Sequence, residues 1–286
     1  MFAPRRLYLL PILTAASLLG DAWSAAMAAD ASPWDDDTQS SARLIAAQSN
    51  EVSGVRQFRA GLEIKLKPGW HTYWRYPGDS GVPPAPDFSK SQNVKRATVL
   101  YPAPSRFPDG AGGNSIGYKG DVILPVSVLP EDPGKPAVLH LKLSYAVCEK
   151  LCVPAEANLE LTLTGKPSST DADVTAAEAR LPKAVRIGDA GPLAIRAAHR
   201  ESSSGKPRVI VDVAAPAVVP VTLFAEGPTP QWALPLPEPV SGAPAGLQRF
   251  AFELDGLPPG AKPDGAELKL TAVAGDQAVE AAFRLD

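Results

Sequence analysis

The chain has two cysteines, Cys148 and Cys152, separated by three residues in Tyr145-Ala-Val-Cys-Glu-Lys-Leu-Cys-Val-Pro154. Two thiols at this spacing can close on each other. The pair can therefore pass electrons by thiolate attack through a mixed disulfide, one sulfur being attacked while the other resolves the intermediate. The opposing reading is a structural staple, the usual fate of a lone pair in an exported protein. Closing so short a loop stabilises a fold by only about 2 kcal/mol on chain-entropy grounds, and a chain of this length has core enough without it. The intervening Glu149-Lys150-Leu151 is mostly polar, which leaves the pair reachable. Lys150 would favour a thiolate and Glu149 would oppose it, so the sequence does not say which cysteine attacks.

Two further stretches stand out. In Trp70-His71-Thr72-Tyr73-Trp74-Arg75-Tyr76-Pro77-Gly78-Asp79, the residues Trp70, Thr72, Trp74 and Tyr76 share one face if the segment is extended. These aromatics either pack the core or flank the cysteines, with Trp70, His71 and Tyr73 as the candidate neighbours. His71 has the chemistry of a thiol-activating base, although a lone histidine among aromatics is more often structural. Phe107 to Tyr118 is rich in glycine and reads as a mobile connection that could cover and uncover a disulfide, with Asp109 and Tyr118 as candidate contacts. Metal binding is the chemical rival. The two thiols could combine with His71, His140 or His199, but those histidines are scattered, and neither a metal nor another cofactor is expected.

The elements that would hold these residues are strands. Phe58, Ala60, Leu62, Ile64 and Leu66 alternate with polar neighbours. Val122 to Val128, Leu139 to Val147 (ending at Cys148) and Leu159 to Leu163 repeat the pattern. The cysteines thus fall at the junction of two strands. Asp171, Asp173 and Glu178, with several alanines before Pro182, predict a short helix with an acidic start. Alternation then resumes at Val209 to Val213, Phe250 to Leu254 and Leu268 to Leu270. The expected fold is all-β: an immunoglobulin-like β-sandwich over 29–166, a linker with a short helix over 167–191, and a second β-sandwich over 192–286. Each half has a strand followed by a Gly/Pro-rich stretch (76–86 and 225–239), a weak hint of duplication.

The first 28 residues read as a secretory signal: Arg5 and Arg6, an apolar run from Leu7 to Leu19, then the small-x-small site Ala26-Met27-Ala28. No later run is apolar enough to cross a membrane, so a soluble, exported protein is expected. Both methionines, Met1 and Met27, fall in that leader, which argues against a methionine-rich copper carrier. The net charge of −3 is small and mixed, giving no support to nucleic-acid binding.

Taken together, Tyr145 to Glu156, Ser115-Ile-Gly-Tyr-Lys-Gly120, Val122-Ile-Leu-Pro-Val126 and the Trp-Arg-Tyr-Pro-Gly-Asp-Ser-Gly core of 70–86 resemble the amino-terminal periplasmic domain of DsbD-type thiol:disulfide interchange proteins, and more closely their ScsB-like branch. The resemblance spans roughly 34–166. It implies an immunoglobulin-like sandwich in which Cys148 and Cys152 accept reducing equivalents from a thioredoxin-like domain and pass them to periplasmic substrate proteins. It also implies a cap loop at about Asp109 to Tyr118. Here that loop is glycine-rich, and only Phe107 or Tyr118 could supply a shielding aromatic. Because the chain ends after the second sandwich, the expected electron donor is a separate thioredoxin-like or membrane electron-transfer protein. Cytochrome c biogenesis, disulfide isomerisation and copper tolerance are the pathways left open.

Overall fold

The alternating runs are strands of two stacked sandwiches. The computed structural model describes residues 29–79, 81–110, 112–201, 206–216 and 219–286; the expected leader over 1–28 lies outside them. The first sandwich comprises β1 (Asp35–Asp36), β2 (Ser40–Val52), β3 (Val55–Leu66), β4 (His71–Gly78), β5 (Ala85–Asp87), β6 (Arg96–Val99), β7 (Ser105–Pro108), β8 (Asn114–Lys119), β9 (Val122–Leu129), β10 (Ala137–Cys148) and β11 (Cys152–Leu163). One sheet runs β1-β2-β3-β9-β6. The facing sheet runs β11-β10-β4-β8-β7, with β5 also paired to β10. The inward sets are those the period-2 pattern picks out. Phe58, Ala60, Leu62 and Ile64 meet Leu139, Leu141, Leu143, Tyr145 and Val147 in one buried cluster.

Most of the glycine-rich segment, expected from its composition to be a long mobile connection, is strand. Phe107-Pro108 and Asn114 to Lys119 belong to the β7–β8 hairpin, and only the turn from Asp109 to Gly113 lies between them. Gly117 shows why composition misleads here. A Cβ at that position would lie 2.0 Å from the Thr72 carbonyl oxygen, so its glycine serves the close approach of β8 to β4.

The helix forms where the acidic start predicts it, as α1 (Asp171–Ala179). It lies against the first sandwich: Val174 is buried with Ile45 and Ala47, and Arg59 pairs with Glu178 at 2.5 Å. Beyond it come β12 (Lys183–Ala184), β13 (Ala194–Glu201), β14 (Arg208–Ala214), β15 (Val221–Glu226), β16 (Glu238–Val240), β17 (Leu247–Glu253), β18 (Glu267–Ala274) and β19 (Gln277–Arg284). They form sheets ordered β13-β14-β17-β16 and β12-β19-β18-β15. The first of these orders reproduces β2-β3-β9-β6, and β19-β18-β15 reproduces β11-β10-β4, strand for strand in chain order. The two sandwiches therefore share one seven-strand topology, giving substance to the weak hint of duplication. The first sandwich adds the β7–β8 hairpin. It also replaces the two-residue turn Gly275-Asp276 of β18–β19 with the three-residue turn between the cysteines.

The sandwiches meet on β4. Trp74, fully buried, packs its ring 5.6 Å from that of Phe224, and the Tyr76 hydroxyl donates to the Leu234 carbonyl at 2.8 Å. Arg75 donates to both carboxylate oxygens of Glu226, at 2.7–3.2 Å, and also pairs with Glu280. Two carboxylates around one guanidinium hold Arg75 firmly charged against the cost of its burial. Truncating Phe224 to Ala removes a fully buried ring from this junction. A loss of about 3–5 kcal/mol is expected, read as a lower urea midpoint.

Candidate redox site

Cys148 closes β10 and Cys152 opens β11. They face each other across the hairpin with Cα atoms 4.2 Å apart and are joined as a disulfide. Strand parity places them. The odd residues from Leu139 to Val147 fill the core, so Ala146 and Cys148 emerge on the outer face of the sheet. On β4, which pairs Thr72 with Val147 and His71 with Cys148, the even residues Trp74 and Tyr76 enter the core, and His71 and Tyr73 share the outer face with Cys148. The two cysteine residues differ in exposure. Cys148 is 2% exposed, whereas Cys152 is exposed at the start of the edge strand β11.

The polar group nearest the sulfurs is the Tyr73 hydroxyl, 2.8 Å from Cys148 Sγ and 3.1 Å from Cys152 Sγ. Its ring is held by the crossing chain at Gly81, where a Cβ would come within 2.3 Å of the ring carbons. Burial pushes the Tyr73 phenol above its ordinary value; the Ser115 hydroxyl opposes this and the Asp109 carboxylate adds to it. Tyr73 is therefore protonated at neutral pH and can donate to a thiolate. His71 has its ring edge-on to Tyr73 (5.5 Å) and Phe107 (4.8 Å), and Lys119 sits 4.8 Å above the Phe107 ring. Burial first, and the Lys119 charge second, lower the His71 pKa. Its Nε2 is buried without a hydrogen-bond partner among the described residues. This places His71 as a neutral packing group beside the pair, with no hydrogen bond to either sulfur.

The other expected residues divide. Glu149 and Lys150 form the exposed turn, with the Glu149 carboxylate beside Gly69. Asp109 accepts from the Gly113 N–H at 2.9 Å and lies near enough to Tyr73 to act on its phenol. Trp70 is half-buried against the core and donates nothing to the sulfurs. Tyr118 points the other way: it is buried in the core, and its hydroxyl donates to the Pro102 carbonyl at 2.8 Å. Of the two candidate shielding aromatics, Phe107 shares the outer face with His71, and Tyr118 does not. Ser115, Lys119 and Gly81 lie in the motifs that carry the resemblance but are not among the site residues expected from sequence. Once β8 is recognised as a strand, its parity places Ser115 and Lys119 opposite the core-facing Ile116 and Tyr118. His140 pairs with Glu160 at 3.2 Å on a polar face, and His199 belongs to the second sandwich. No group of three or more potential metal ligands occurs among the described residues.

The first sandwich is thus an immunoglobulin-like domain with a cross-strand disulfide at one sheet edge. Its residues 41–164 match the family described as thiol:disulfide interchange protein DsbD, N-terminal. The whole fold is similar to the crystal structure of the N-terminal periplasmic domain of ScsB from Proteus mirabilis. The TM-score is 0.68 at 19% identity, over 90% of this chain and 98% of that one. No curated protein matches the chain.

Two outcomes follow for the site. Tyr73→Phe removes a hydrogen bond worth roughly 1.5–3 kcal/mol when its acceptor is a thiolate. The reduced pair loses that support, so its reduction potential should fall by about 30–60 mV in glutathione equilibration. For His71, the folded pKa lies below the unfolded one, so the unfolded chain binds more protons as pH falls through the ordinary value of 6.5. Stability should therefore drop on acidification from there toward the folded pKa. His71→Phe should flatten that part of the stability–pH curve in urea titrations.

Proposed function

We propose that the protein is a periplasmic thiol–disulfide relay that carries reducing equivalents through the Cys148/Cys152 couple to other exported proteins. Residues 29–166 are the redox domain, 167–191 the linker and 192–286 a second sandwich, and the exported chain is soluble after signal cleavage near Ala29. The reductant is a thioredoxin-like or membrane electron-transfer protein, and the acceptors are periplasmic disulfides. The match to the DsbD amino-terminal family supports this reading. No helix among the described residues is long and apolar enough to cross a membrane. The observation that carries it is the unequal exposure of the two cysteine residues, with one hydroxyl touching both sulfurs.

In the oxidised protein, a partner thiolate attacks the Sγ of Cys152, the more exposed of the two residues. The Cys148–Cys152 bond breaks and its electron pair leaves on Cys148 Sγ, where the Tyr73 hydroxyl donates to the new thiolate. The partner's second thiolate then attacks the partner sulfur of the mixed disulfide and releases Cys152. Two electrons have entered this protein, and the partner has become a disulfide. The reverse sequence reduces a substrate: the Cys152 thiolate attacks its disulfide and Cys148 resolves the adduct.

Cys148→Ser leaves the accessible sulfur without its resolving partner and should accumulate mixed disulfides on Cys152 in periplasmic extracts, whereas Cys152→Ser should accumulate few. The wild-type couple should have a potential of roughly −180 to −270 mV, in the range of exchange proteins. A value below about −300 mV, with no adducts from either variant, would place the pair among structural disulfides and defeat the proposal.

A further inference from the structure

Strand β4 leaves its ladder immediately after Tyr73. On one side its register with β10 covers His71 and Thr72. On the other, His71, Thr72 and Tyr73 pair with Lys119, Tyr118 and Gly117 of β8, and the register resumes only at Gly78, opposite Ser115. Five steps along β4 thus answer two along β8, so Trp74 to Pro77 stand outside that ladder as a bulge. A bulge re-aims the side chains around it. This one begins at the residue whose hydroxyl touches both sulfurs.

A bulged segment has given up the ladder bonds that would fix it, and here the second sandwich holds it instead. Trp74 packs on Phe224, Arg75 donates to Glu226 of β15 and pairs with Glu280 of β19, and the Tyr76 hydroxyl donates to the Leu234 carbonyl. The three residues that follow Tyr73 are therefore each tied to the other sandwich. Arg75 is the central tie. Its planar guanidinium meets the Glu226 carboxylate with two nitrogens, which fixes direction as well as distance, and it lies 4.3 Å over the Trp74 ring. None of these ties includes a sulfur, so they reach the disulfide through the backbone of Tyr73.

We infer that Arg75 is a positioning residue: by pinning the bulge to Glu226 and Glu280 it holds the Tyr73 hydroxyl against Cys148 and Cys152, and through it the second sandwich sets the reduction potential of the pair. This rests on the exchange reading above and gives the second sandwich a part in it. When the clamp is loosened, the hydroxyl is held less closely to the Cys148 sulfur, the thiolate of the reduced pair loses support, and the potential falls. Charge alone would act with the opposite sign. Removing two carboxylates makes the surroundings more positive, which favours a thiolate and raises the potential.

The test is glutathione equilibration of the purified protein and its variants. Arg75→Lys keeps the charge and gives up the two-pronged bond. Glu226→Gln combined with Glu280→Gln keeps the shapes and removes the charge. Each should lower the equilibrium constant for reduction by glutathione at least ~3-fold, a fall of about 14 mV for a two-electron couple. In a Tyr73→Phe background neither should lower it further, since the hydroxyl through which the clamp acts is gone. Val211→Ala, in the buried core of the second sandwich, should lower the urea midpoint and leave the potential of the folded protein unchanged. If the combined glutamine variant fails to fold, Arg75→Lys decides. Unchanged potentials, a rise, an equal fall in the Tyr73→Phe background, or an equal fall with Val211→Ala would each overturn the inference. A wild-type potential below about −300 mV would instead defeat the exchange reading, while the differences among the variants would still judge the clamp.

Discussion

Strand β4 is buried on both faces, and the rest of the molecule is arranged around that fact. A strand with one wet face can carry a site or an interface; this one carries both at once. Its even residues, Trp74 and Tyr76, reach the core and the second sandwich, and its odd residues, His71 and Tyr73, lie against the disulfide. Arg75 is held between Glu226 and Glu280, so the backbone that aims Tyr73 is anchored from the next sandwich. The precision of the hydroxyl–sulfur contacts follows from a strand that has little freedom to shift.

The disulfide itself is ordinary in its covalent chemistry. On the proposed exchange reading, what suits it is asymmetry: a buried cysteine beside a hydroxyl donor and an exposed cysteine at a sheet edge. The first is placed to leave as a thiolate, and the second to be attacked. His71 contributes bulk, its ring packed edge-on against Tyr73 and Phe107, while the hydrogen bonds to the sulfurs come from Tyr73.

The second sandwich repeats the strand order of the first but lacks the inserted β7–β8 hairpin and the cysteine-bearing turn. Those two additions supply Phe107, Ser115 and Lys119 on one side of the site and both sulfurs on the other. One topology thus carries the disulfide in one copy and packs against it through β4 in the other.

Much of this was legible in the residues. Period-2 alternation identified the strands β3, β9, β10 and β11, because a half-buried strand must alternate, and the position of Cys148 at the end of one such run put the pair in a hairpin. The acidic start marked α1. Composition misjudged Phe107 to Tyr118, since glycine there answers a close approach between strands, a long-range constraint that local propensity cannot register. Tyr118 was grouped with the site for the same reason: without knowing that β8 is a strand, its parity is undefined. Which sulfur is exposed, and that Tyr73 in place of His71 touches both, depended on the register of β4 against β10. Register is set by the packing of the whole sheet, and a one-residue slip would exchange the two faces. The sequence therefore determined which residues could do the chemistry and which strands would hold them. The tertiary structure alone decided which face each met, because facing is a relation between strands far apart in the chain.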